Sequence, residues 1–201
     1  MYALYVTHPQ VVIDPAVPVP QWRLTTFGRD RAAHFARHPM ALGATRIVSS
    51  PETKARELAD ILASVSNAPV EIGEKFGEND RSSTGFVPAE RFEELADSLF
   101  AHPDESAQGW ETASAAQARI VAAVSAALAG HDTREPVIFT GHGAVGTLLK
   151  CHLGQRAIAR GEDQRRLADP GGGNLFVFRL ADRTLLSDWM PMERLSATFS
   201  V

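Results

Sequence analysis

Apolar residues follow two rhythms along this chain. Uninterrupted short runs, Tyr2 to Val6 (YALYV), Arg46 to Ser49 (RIVS) and Pro136 to Thr140 (PVIFT), are too brief for helices and read as strands buried on both faces, with Val70 to Ile72 as a further short strand. Between them lie stretches with apolar positions three and four apart. Thr25 or Thr26 caps a helix running toward His38 and stopped by Pro39, and Ser50-Pro51 places a capping hydroxyl before a proline that opens a helix to about Ser66. Pro88 opens another, with Phe92, Leu95 and Leu99 on one face and Pro103 closing it. An Ala-rich helix runs from Thr112 to Gly130, and a last one follows Gly141-His142-Gly143 through Leu153. Residues 9–20 contain four prolines and form an extended loop, residues 73–87 are polar and Gly-rich, and Leu175 to Leu180 pairs with Thr184 to Trp189 as a hairpin after the PGGG turn at 170–173. Strands alternating with helices predict an α/β fold: three α/β/α layers around a mostly parallel central sheet, with an antiparallel edge.

Composition narrows the function. The 201 residues carry 20 basic against 24 acidic groups, a formal charge of −4, with no basic block, so a nucleic-acid partner is not expected. No apolar run approaches the ~20 residues that cross a bilayer, so no membrane partner is expected either. The single cysteine, Cys151, forms no intramolecular disulfide, and no basic start followed by an apolar stretch opens the chain; both predict a cytoplasmic protein. One domain over 1–201 is expected, with 73–111 inserted as a cap. Of the 20 basic residues only Lys54, Lys75 and Lys150 are lysines, so a lysine in a functional position stands out.

Ligands of parallel α/β sheets sit beyond the carboxyl ends of the strands. Two histidines fall there, His8 and His142, and a third strand end, Ser49-Ser50, leads into the helix carrying Lys54 on its first turn. A neutral imidazole is a nucleophile toward phosphorus, while a cation, a helix N-terminus and a second imidazole stabilise phosphate oxygens. A carboxyl group must protonate the leaving oxygen, and Glu78 and Asp80 are two candidates in the polar loop. Other motifs read as structural. Gly141 to Gly146 matches the dinucleotide fingerprint G-x-G-x-x-G, but residues 155–170 offer no following strand ending in an acid. His34 and His38 complement a helix C-terminus rather than forming half a metal site, and Cys151 sits in an apolar helix as a core residue.

These residues, taken in order, resemble the histidine phosphatase superfamily, the phosphoglycerate mutase-like proteins. Members begin with a strand ending in Arg-His-Gly, then show a Leu-Thr-x-x-Gly helix start, a Ser-Ser-Pro segment entering an Arg-containing helix, an acidic loop, and a Gly-His after a late strand. Here these positions read Thr7-His8-Pro9, Leu24-Thr25-Thr26-Phe27-Gly28, Ser49-Ser50-Pro51 with Lys54, Glu78, and Gly141-His142. The resemblance implies a phosphoglycerate mutase-like fold, His8 as the phosphorylated nucleophile, Lys54 and His142 as phosphate ligands, Glu78 as proton donor, and neither metal nor cofactor. It also marks departures. Thr7 replaces an arginine, Pro9 a glycine and Asp14 an asparagine, and Lys54 is a point charge where the family has a guanidinium fork. Arg81 is expected to restore one cation beside the site, with Arg56 a second candidate, and Thr7 and Asp80 complete the expected phosphate-binding set. The expected function is metal-independent hydrolysis of a small phosphomonoester through a phosphohistidine on His8. The alternative is a weak or inactive member that binds an anionic ligand in the same pocket; mutase-type transfer is disfavoured because 73–111 supplies only Lys75, Arg81 and Arg91 to grip a second acidic group.

Overall fold

A computed structural model describes residues 1–197 and 199. Six strands form one sheet in the order β3-β2-β4-β1-β5-β6: β1 (Tyr2–Thr7), β2 (Arg46–Ser49), β3 (Val70–Ile72), β4 (Val137–Gly141), β5 (Asn174–Arg179) and β6 (Met190–Pro191). The first four run parallel, and β5 and β6 are antiparallel, which is the three-layer α/β arrangement expected from the sequence. Alternation sorts each central strand between two cores. Leu4, Val6, Ile47, Ile138 and Val177 face α1 (Thr26–Phe35) and α3 (Thr53–Ser66). Tyr5, Phe139, Phe176 and Phe178 face α5 (Ala113–Ala127) and α6 (Gly143–Leu153). Both faces of β1 and β4 are therefore covered, which is why their sequences are apolar without alternation.

Several boundaries differ from the sequence reading. Helix α1 ends at Phe35, short of His38, and Pro39 opens a one-turn helix, α2 (Pro39–Leu42), whose first N–H is capped by the His38 ring, Met40 N to Nδ1 at 3.2 Å. His38 is thus an N-cap rather than a dipole partner for α1. Helix α3 starts at Thr53 with Glu52 as its N-cap residue, and the Ser50 hydroxyl accepts from Glu52 N at 3.2 Å just ahead of it while lying 2.7 Å from His142 Nε2. The Ala-rich α5 ends at Ala127, three residues short of Gly130. The hairpin partner of β5 is irregular: Leu186 and Ser187 N–H groups both donate to the Val177 carbonyl, and the Ser187 hydroxyl accepts from Val177 N, so only Leu185 makes a ladder bridge before β6. A further turn of helix, α7 (Gln164–Leu167), forms in the polar 155–170 stretch.

The segment between β3 and α5 contains α4 (Ala89–Ala101), whose Leu95, Leu99 and Phe100 join the α5 and α6 core with Trp110. Among the described residues no helix is long and apolar enough to cross a membrane.

Candidate active site

The two histidines meet because their strands are neighbours. β1 and β4 are paired with Thr7 opposite Gly141, and His8 N donates to the Gly141 carbonyl at 3.0 Å. The next residues, His8 and His142, lie with ring centroids 5.3 Å apart at 66°. The Tyr5 hydroxyl fixes the main chain at His142, accepting from its N–H at 3.2 Å and lying 3.3 Å from its carbonyl. Space for that tyrosine explains Gly141 and Gly146 of the G-x-G-x-x-G string, while Gly143 makes room for the Gln164 side chain. A Cβ at Gly141 would lie 2.4 Å from the Tyr5 hydroxyl oxygen, and one at Gly146 2.4 Å from the Tyr5 ring. Close packing, not a nucleotide, accounts for them.

Each imidazole is held in a definite state. His8 Nδ1 is 2.9 Å from the Pro9 carbonyl, which only accepts, so Nδ1 carries the proton and Nε2 bears the lone pair. Burial, reinforced by the nearby Lys54 charge, lowers the His8 pKa to about 4. His142 is fully buried and for that reason also held well below the usual histidine range, against the opposing pull of Glu52. Its Nε2 lies 2.7 Å from the Ser50 hydroxyl and 3.4 Å from Glu52 Oε1.

Lys54 reaches the same place from the first turn of α3. Its ammonium donates to Glu52 Oε2 at 2.5 Å and to the Val19 carbonyl at 2.9 Å, and the side chain is buried. Glu52 therefore bridges the expected cation and the second histidine, and its Oε1 also accepts from Glu78 N at 2.9 Å. Burial works to raise the Glu52 carboxyl, but His142, Lys54 and the Glu78 N–H outweigh it and hold the group well below the usual carboxylate range. The sequence reading passed over Glu52 because an acid at a helix start is ordinary; the available signal was its position two residues before the conspicuous Lys54, at a strand's carboxyl end.

Glu78 crowns α6. Its carboxylate accepts from Val145 N at 3.0 Å, Ala144 N at 3.1 Å and Asn79 N at 3.0 Å, so the positive end of that helix faces a side chain directly after His142. Arg119 of α5 anchors the loop that presents it, donating to the carbonyls of Lys75, Gly77 and Glu78 while forked onto Glu111 at 2.7 and 2.9 Å. Asp80 is exposed and turned onto Ser82 N at 2.8 Å, which lowers its pKa. Arg81 lies over the Phe92 and Trp110 rings, 5.1 and 5.5 Å from their centroids, and its charge is felt by both histidines.

Three other expected positions sit differently. The buried Thr7 hydroxyl bonds Gln164 Oε1 at 2.9 Å and accepts from Asn174 N at 3.0 Å, so it is spent on the β1–β5 side rather than free for an anion. Asp14 is exposed and caps Ala16 N at 2.9 Å, not turned toward the histidines. Arg56 lies on the exposed side of α3. Two buried nitrogens have no partner among the described residues: Nδ1 of His142 and Nδ2 of Asn79, on the residue that follows Glu78. Such groups are costly unless a ligand satisfies them.

The family model of the histidine phosphatase superfamily, branch 1, matches residues 18–178. No curated protein sequence matches the chain. Among solved structures, Bacillus stearothermophilus YhfR superposes with a TM-score of 0.73 at 18% identity, covering 92% of this chain and 93% of that one. The native mycobacterial glucosyl-3-phosphoglycerate phosphatase gives 0.72 at 16% identity, covering 94% and 95%. Its complex with inorganic phosphate gives 0.71 at 16%, covering 94% and 93%.

Proposed function

Because the chain belongs to the histidine phosphatase superfamily, we propose that it hydrolyses a small phosphomonoester, without a metal, through a phosphohistidine on His8. The observation that carries this reading is the Nδ1 contact to Pro9, which leaves Nε2 of a neutral imidazole as the nucleophilic atom at pH 7. Nε2 attacks phosphorus in line, forming the N–P bond as the ester P–O bond breaks. Lys54, the free nitrogens of His142 and Asn79, and Arg81 hold the transferring oxygens. Glu78, with its carboxyl group beside His142 at the head of α6, protonates the departing oxygen and then takes a proton from the water that cleaves the N–P bond and releases inorganic phosphate.

The likeness to a glucosyl-3-phosphoglycerate phosphatase supports a phosphorylated small molecule as the substrate class. A generic aryl phosphate offered to the wild type and to His8→Ala tests the mechanism, with a denaturing alkaline quench to trap a base-stable, acid-labile phosphoryl label on His8. Turnover confined to the wild type, with label, is expected; turnover that survives the substitution overturns the His8 mechanism.

A second reading, a non-catalytic anion-binding domain, is favoured by one observation: the Glu52 carboxylate already engages Lys54 and faces His142. It predicts phosphate binding by the wild type with no turnover.

A further inference from the structure

Four parts of the fold bring charge or hydrogen-bonding groups to Glu52. Lys54 approaches from α3, His142 from the junction of β4 and α6, His8 and Tyr5 from β1, and the Glu78 N–H from the loop after β3, with Arg81 farther along that loop. At neutral pH both imidazoles are uncharged. With Glu78 carrying the proton it is to donate, the formal charges around the histidines are Lys54 and Arg81 against Glu52, a surplus of one; Arg119 is spent on Glu111 and Asp80 on Ser82. The buried nitrogens without partners among the described residues, Nδ1 of His142 and Nδ2 of Asn79, belong to neutral side chains. A site that holds a dianion by electrostatics needs two surplus positive charges, and this one has a single charge to offer.

Resting on the phosphatase reading above, we propose that Glu52 determines specificity by charge: the site accepts phosphate esters carrying one negative charge and rejects those carrying two. The carboxylate holds the Lys54 ammonium at 2.5 Å and stands 3.4 Å from the His142 ring, so an incoming phosphate shares both partners with an anion already present. A second charge on the phosphate adds repulsion without gaining a free cation. A singly charged phosphate arises in two ways, as a monoester below its second ionisation near pH ~6 or as a diester at any pH. For a monoester the working range lies between His8 protonation at about 4 and that ionisation.

The experiment follows KM between pH 5 and 8 for an aryl phosphate monoester and for the corresponding bis-aryl diester, in the wild type and in Glu52→Gln, which keeps the acceptor for Glu78 N. In the wild type the monoester KM is expected to rise about tenfold or more across that range while the diester KM, if the diester is turned over, stays level. In E52Q the monoester rise is lost and KM at pH 8 falls at least tenfold. A wild-type monoester KM independent of pH overturns the proposal without reference to any variant; so does an unchanged pH 8 KM in folded E52Q. Binding of inorganic phosphate, followed by phosphorus NMR over the same pH range, separates this proposal from the reading beneath it. Phosphate affinity that weakens with pH and is relieved in E52Q, with no turnover anywhere, removes the phosphatase and leaves the role of Glu52 standing. Turnover that depends on His8 but is indifferent to Glu52 does the reverse.

Discussion

His8 and His142 were legible as single residues because a histidine directly after a buried strand has one place to go, the carboxyl edge of the sheet, and two adjacent strands make two such residues neighbours. Glu78 behaves differently from a free acid. It accepts three backbone N–H groups, so changing it touches both chemistry and the cap of α6. Glu78→Gln keeps an acceptor oxygen for that cap but removes the transferable proton. We expect kcat to fall about 100-fold on an alkyl phosphate and far less on an aryl phosphate whose phenolate leaves unaided, with thermal stability nearly unchanged. Equal losses on both substrates exclude a role at the leaving oxygen. The contribution of Glu52 was not legible, because an acid at a helix start is common for reasons of dipole alone and its reach to Lys54 and His142 depends on how α3 meets β4. Ser50 was only half legible for a related reason: its hydroxyl accepts from Glu52 N at the helix entry, as a capping hydroxyl would, but the fold also sets it against His142.

Among the elements, α5 does more than fill the core. Half-buried Arg119 of α5 donates to the carbonyls of Lys75, Gly77 and Glu78 in the loop between β3 and α4 and pairs with half-buried Glu111. Arg119→Leu removes these bonds and strands a carboxylate, so a loss of about 2 kcal/mol is expected, with faster amide hydrogen exchange localised to residues 75–80 and a higher KM. Exchange that is unchanged there shows the loop to be held by other contacts. Element types were readable wherever apolar periodicity was sustained, as in β1, α3 and α5. They were less readable where a side chain replaced a main-chain partner: the His38 ring opens α2, and the Ser187 hydroxyl breaks the hairpin into a single bridge. Neither substitution leaves a trace in hydrophobic spacing.

For the molecule as a whole, two neutral imidazoles, half-buried His8 and fully buried His142, govern stability on the mildly acidic side. The pKa of His8 is about 4 when folded and near the ordinary 6.5 when unfolded, so between those values the unfolded chain binds more protons. Stability is therefore complete above about pH 6.5 and falls as pH drops toward 4, by up to about 3 kcal/mol for His8 alone, with His142 shifted in the same direction. Urea midpoints at pH 7.5 and 4.5 should show that decline at constant m-value, and His8→Asn should lessen it. A midpoint that holds steady down to pH 4.5 contradicts neutral histidines. The pairing of β1 with β4 has one further consequence. Spacing between the two rings is set by a backbone ladder, whereas the charge beside them comes from the first turn of a separate helix. Distance and charge are thus written on different pieces of chain, so residues 52 and 54 can change the charge beside the two rings while the β1–β4 ladder that spaces them stays as it is.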